Sequence, residues 1–134
     1  MTRLFTFFSF LLFAFTLSTS AYSFSPAPFD SKKFKSAQES GKAILVDVYA
    51  KWCPTCKRQH AELKEILKAP KYKDMVTFQI DYDQKDKVKE FQEMIGKPIP
   101  RQSTIVMFNG TKLTAISVAE TGDALKKQID KAFR

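Results

Sequence analysis

From Ser25 onward the apolar positions fall into short runs whose period changes along the chain. Ala43 to Tyr49 is a continuous apolar run broken only by Asp47, the pattern of a strand covered on both faces and central in its sheet. Met75 to Tyr82 alternates in part and predicts a second strand. Between the two, Pro54 to Leu67 carries Ala61, Leu63, Ile66 and Leu67 at helical spacing and ends at Ala69-Pro70. Lys85 to Ile95 predicts another helix, with Val88, Phe91, Met94 and Ile95 turned inward. A shorter one, capped by Asp30 or Ser31, carries Phe34 and Ala37 and stops at Gly41. After the break Gly96-Lys97-Pro98-Ile99-Pro100, the runs Thr104 to Phe108 and Lys112 to Val118 flank Asn109-Gly110, a strong hairpin signal. Asp123 to Phe133 closes the chain as an amphipathic helix with Leu125, Ile129 and Phe133 on its inner face and Thr121 as cap. A parallel unit followed by an antiparallel hairpin and a closing helix predicts an α/β fold, a mixed central sheet with helices on both faces.

The first residues follow another pattern. Met1-Thr2-Arg3 leads into an apolar stretch from Leu4 to Leu17, then into the small residues Ser18 to Ala21. This is the layout of a secretory signal peptide at 1–21, with cleavage near 21–23. A stretch of about 14 apolar residues is short for a bilayer span, which takes roughly 17 to 25; an uncleaved membrane anchor is the alternative. Ser25 to Phe29, with Pro26 and Pro28, extends the predicted tether at 22–29, and the folded domain is expected over 30–134.

Charge narrows the classes of partner. The net charge of +8 drops by one without Arg3, so the domain is basic. Its lysines are scattered and are not interleaved with aromatics on one stretch, which argues against nucleic-acid binding.

The chain has two cysteines, Cys53 and Cys56, in Trp52-Cys53-Pro54-Thr55-Cys56. A structural disulfide there would close a very short loop and remove little chain entropy from the unfolded state. Cys53 stands where a buried strand has ended and a helix begins. Unpaired N–H groups and the positive end of the helix dipole stabilise a thiolate at such a place, so Cys53 is the expected nucleophile, an exposed thiol of low pKa. Cys56, one turn deeper, can attack the resulting mixed disulfide and leave a redox-active Cys53–Cys56 disulfide. Trp52 is expected to shield the pair, and Pro54 suits the first helical turn.

In order and spacing, Ile44 to Lys57, with Asp47 six residues before Cys53 and Trp52 just ahead of it, resembles the strand and active-site helix of the thioredoxin family. Ile80-Asp81-Tyr82-Asp83-Gln84 and Thr104 to Gly110 resemble later elements, and the likeness covers about residues 30 to 134. The resemblance implies a thioredoxin-like fold and a protein-disulfide oxidoreductase that needs no cofactor. It implies that Asp47 accepts the proton of Cys56 and that Trp52, Pro54, Thr55, Gln102 and Ser103 contact substrate. The sequence departs from the family at two places. Gln79 stands where many members carry a lysine opposite the aspartate, which leaves Asp47 without that charge partner. Ser103 stands at the usual cis-proline; a cis bond before a non-proline residue costs about 2.5–4 kcal/mol, so Gln102–Ser103 is expected to be trans. Gln102 can still offer strand-like backbone hydrogen bonds to an extended substrate.

His60 follows Cys56 by four residues and would give a third ligand if Cys53, Cys56 and His60 held a metal or iron–sulfur centre. One turn beyond a buried cysteine, though, the imidazole is expected to face away from the mouth of the site. The leading expectation is an exported monomeric enzyme exchanging Cys53–Cys56 with protein dithiols and disulfides. Its direction is expected to be reductive, because Pro54-Thr55 supplies no extra cation, and a membrane-bound donor would recharge it. By family analogy the compartment is a periplasm. The alternatives are a redox-inactive binding module of the same shape and the metal centre.

Overall fold

The computed structural model describes residues 24–134. The predicted signal peptide lies outside the described residues. The elements are β1 (Ala27–Pro28), α1 (Ser31–Glu39), β2 (Ala43–Tyr49), α2 (Pro54–Ile66), β3 (Val76–Asp81), α3 (Lys85–Ile95), β4 (Thr104–Asn109), β5 (Lys112–Val118) and α4 (Gly122–Asp130). Single 3₁₀ turns at Pro70–Tyr72 and Lys131–Phe133 follow α2 and α4.

The strands form one mixed sheet in the order β1-β3-β2-β4-β5. β2 is central, parallel to β3 and antiparallel to β4. Its continuous apolar pattern is thus explained by cover on both faces. Successive strand residues point to opposite faces, and this alternation sorts the core into two layers. Ile44, Val46 and Val48 pack with Phe34, Phe78, Val88 and Phe91 beneath α1 and α3. Leu45 packs with Leu63, Leu67, Ile105, Met107, Leu125 and Ile129 beneath α2 and α4. The first layer holds an aromatic cluster, in which Phe34 meets Phe91 at 5.7 Å and Phe108 at 5.2 Å, both edge to face. Such pairs contribute about 0.5–1.5 kcal/mol each beyond the area they bury.

Two expectations are corrected. Residues 24–29 are not a tether. Ala27 and Pro28 pair with Phe78 and Gln79 as the edge strand β1, the Phe29 N–H donates to Gln79 O at 2.9 Å, and Phe24 and Phe29 are buried. Pro28 is tolerated because an edge strand can spare one donor. Phe133, expected on the inner face of the last helix, is 45% exposed, and Ala132 is buried in its place. The chain tightens into a 3₁₀ turn after Asp130, so the 3.6-residue phase that carries Leu125 and Ile129 inward breaks down before Phe133.

Candidate active site

The central strand delivers the chain to the cysteines. After Tyr49 a turn is closed by the Cys53 N–H donating to Ala50 O at 3.1 Å, and Pro54 opens α2. Cys53 itself stays extended, at φ −84° and ψ 113°, as the N-cap of α2. Its Sγ accepts a hydrogen bond from the Cys56 N–H at 3.2 Å, one of the donors a helix start leaves without an intrahelical partner. Both cysteines are free thiols, and both are buried.

That burial corrects the expected exposure of Cys53. Burial opposes its ionisation, but hydrogen bonds from the Cys56 thiol and N–H, the Ser103 hydroxyl and the Thr55 N–H outweigh it and hold the Cys53 pKa below the ordinary thiol value. Cys56 goes the other way. Burial, the hydrogen bond it makes to Cys53, and the nearby charges of Cys53 and Asp47 push it up to about 11. The pair is therefore split into one easily ionised thiol and one that needs a proton acceptor.

Asp47 is fully buried. In register it faces Gln79 on β3 and Ile105 on β4, and alternation from Leu45 puts it on the α2 side of the sheet. There His60 meets it. His60 Nε2 lies against Asp47 Oδ2, and the Gln79 amide donates to the same oxygen at 3.3 Å while standing 3.1 Å from that ring nitrogen. Asp47 Oδ1 has no hydrogen-bond partner among the described residues. His60 thus turns down onto the sheet and stands with Gln79 against Asp47, a contact not foreseen from sequence. The signal was present in the helix period, since Cys56, His60, Leu63 and Leu67 recur at i, i+4, i+7 and i+11 on the face that packs against the sheet. His60 is 27% exposed and lies between the Phe24 ring, edge-on at 5.5 Å, and the Tyr49 ring at 5.7 Å.

The remaining residues divide. Ser103 is buried in the left-handed region at φ 58°, and the described residues contain no cis peptide bond. Its carbonyl accepts from the Ala119 N–H at 2.8 Å and from Gln59 Nε2 at 3.4 Å. Gln59, fully buried and not foreseen from sequence, also donates to Glu120 O at 2.9 Å and so ties α2 to both loops. Gln102 and Thr55 are partly exposed and Pro54 is exposed. Trp52 is 59% exposed, and its Nε1 donates to Asp83 Oδ2 at 3.0 Å. The sulfurs pack on Ala50, with Tyr49 and Tyr82 at the margin. With His60 turned onto Asp47, no group of three or more His, Cys, Asp or Glu among the described residues is arranged to hold a metal.

The thioredoxin family model matches residues 25–131. The chain belongs to the thioredoxin family. A solved structure of Trxlp from Edwardsiella tarda EIB202 is similar to this thioredoxin-family protein with a TM-score of 0.69 and 34% identity, over 78% of this chain and 98% of that one. An H-type thioredoxin from Fagopyrum esculentum is 28% identical over 97 residues, 72% of this chain and 78% of that protein. The thiol:disulfide interchange protein DsbE of Vibrio cholerae is 29% identical over 83 residues, 61% of this chain but 41% of its own length. At family level these relatives support thiol–disulfide oxidoreductase activity, and the site holds the required pair of sulfurs.

Proposed function

We propose that this thioredoxin-family protein is an exported reductant of protein disulfides. The observation that carries the reading is the geometry of the pair: Cys53 caps α2 with its Sγ accepting from the Cys56 N–H at 3.2 Å, and both thiols and Asp47 are buried, an arrangement that favours ionisation of Cys53 and opposes that of Cys56. The Cys53 thiolate attacks a substrate disulfide, forming a mixed disulfide and expelling one substrate thiolate. Cys56 then gives its proton to Asp47 and attacks Cys53 Sγ. The second substrate sulfur leaves, and Cys53–Cys56 is oxidised by the two electrons the substrate has gained. Gln102, Ser103, Pro54 and Thr55 edge the place where an extended substrate would lie. Export rests on the charged, apolar and small-residue order of residues 1–21. A periplasmic destination, a monomeric state and a membrane-bound electron donor belong to the same proposal.

The test is the equilibrium reduction potential of the chain from residue 24 in glutathione buffers, followed by Trp52 fluorescence, with Cys53→Ser as control. A value near −270 mV, as in thioredoxin, supports a reductant, and one near −120 mV an oxidant. If no Cys53–Cys56 disulfide forms at any poise, the oxidoreductase reading fails. Sequencing the N-terminus of the full chain after expression in a bacterium tests export; a product that begins at Met1 and stays in the cytosol rejects it.

A further inference from the structure

We infer that His60 is the proton relay of this site: it partners Asp47 and releases a ring proton to solvent as Asp47 takes the proton of Cys56. The inference rests on the dithiol-exchange reading above and adds to it a residue and a path.

Three observations place the relay. Asp47 is fully buried, and its two oxygens are used differently: Oδ2 is held by His60 Nε2 and the Gln79 amide, whereas Oδ1 has no partner among the described residues. His60 is 27% exposed, so its ring joins the buried carboxylate to the surface. A crevice of about 220 Å³ lined by Tyr49, Ala50, Lys51, Cys56, Lys57 and His60 brings the imidazole and the resolving thiol to one opening, roomy enough for water.

The chemistry follows from charge. An unpaired carboxylate in a protein interior is costly, by several kcal/mol, and would be held neutral and unable to accept a proton. With a protonated His60 on Oδ2 the pair has no net charge. When Cys56 attacks Cys53 Sγ, its S–H bond breaks and the proton goes to Asp47 Oδ1. His60 keeps the proton on Nε2 and releases the one on its other ring nitrogen to water. The site begins as an ion pair and ends as a neutral carboxylic acid beside a neutral imidazole, so no net charge is left buried. Run backwards, the same path protonates Cys56 when the disulfide is reduced.

The groups facing His60 that titrate or carry charge are Asp47 and Tyr49 from β2, Cys56 and Lys57 from α2, and Lys51 from the turn between them. Asp81 on β3 acts on Tyr49, whose pKa is raised by burial and by the charges of Asp81 and Asp47. Phe24 and Gln79 complete the surroundings without titrating.

His60 is the only histidine of the chain, so its ring signals are unambiguous in a nuclear magnetic resonance spectrum. The first measurement is the pH titration of the His60 ring in the reduced and in the oxidised wild-type protein. The relay requires the two midpoints to differ, and coincident midpoints overturn it. The second is the pH profile of single-turnover disulfide reduction in wild type, His60→Gln, Asp47→Asn and the double variant. Positioned acid–base groups contribute about 10²–10⁴-fold, and a residue one step removed from the sulfur is expected to contribute at least about tenfold near neutral pH. His60→Gln should move the acid limb of the profile to higher pH, and adding it to Asp47→Asn should slow the reaction no further. A His60→Gln profile that superimposes on wild type, or effects that simply multiply in the double variant, reject the relay while leaving exchange intact. A wild type that reduces nothing rejects exchange and the relay together.

Discussion

Ser103 shows how much one side chain can change at this site. It lies at φ 58°, in the left-handed region that disfavours residues with a Cβ, and Gln59, Ala119 and its own hydroxyl bond to Gln102 O at 2.6 Å hold it there. The hydroxyl has one proton to give, and turned from Gln102 O toward Cys53 Sγ it helps to stabilise the thiolate. Ser103→Ala keeps the backbone but removes that donor. The Cys53 pKa is then expected to rise toward the ordinary thiol value, read as thiolate absorbance near 240 nm against pH, with the fold unchanged by circular dichroism; an unmoved titration would show that Ser103 contributes only shape. His60 is the counterpart lesson. From the sequence it was a lone histidine, and only the pairing of the α2 face with the odd-numbered side of β2 makes it the partner of Asp47.

At the scale of elements, α4 is fastened by a cluster far from the cysteines. Asp130 accepts from Lys71 Nζ at 2.6 Å, Tyr72 Oη at 2.6 Å and Lys126 Nζ at 3.1 Å, which ties the 3₁₀ turn after α2 to the end of α4. Burial would raise the Asp130 pKa, but the hydrogen bonds from Lys71, Tyr72 and Lys126 outweigh it and bring the carboxyl down to about 2. A depressed carboxyl pKa stabilises the fold above the unfolded value, about 3.9, and that stability is lost as pH falls toward 2. Because Lys71 is half exposed, the contribution is discounted to about 1–2 kcal/mol. Asp130→Asn is expected to lower the melting temperature by about 5 °C or more at pH 7 and by much less at pH 2. Equal losses at both pH values would assign Asp130 a packing role instead. The helices and the hairpin were legible as elements because each carries its own period and its own punctuation. β1 was not: two residues with a proline have no period, and only the open edge of β3 makes them a strand.

The molecule as a whole depends on that short strand. Phe24 packs in the layer under α2 and α4 and touches His60, while Phe29 joins the layer under α1 and α3, so the N-terminal segment contributes to both sides of the sheet. Burying a phenylalanine contributes roughly 1.5–3 kcal/mol. A chain beginning at Asp30 is therefore expected to be about 3–6 kcal/mol less stable in urea unfolding than one beginning at Phe24. A loss below about 1 kcal/mol would return the segment to the status of a tether.

The order of elements, the central place of β2, the hairpin at Asn109-Gly110 and the position of Cys53 at a helix start were all determined by the sequence itself. Each depends on side-chain period and on residues with restricted or permissive backbones, which act over a few neighbours. The tertiary structure alone decided that Cys53 is buried along with Cys56, that Trp52 is largely exposed, that Gln59 secures the Ser103 loop and that His60 stands on Asp47. Those outcomes depend on which faces of distant elements meet. The register of β2 against β3 and the seating of α2 across the sheet bring together Asp47, His60 and Gln79, residues that no local pattern connects.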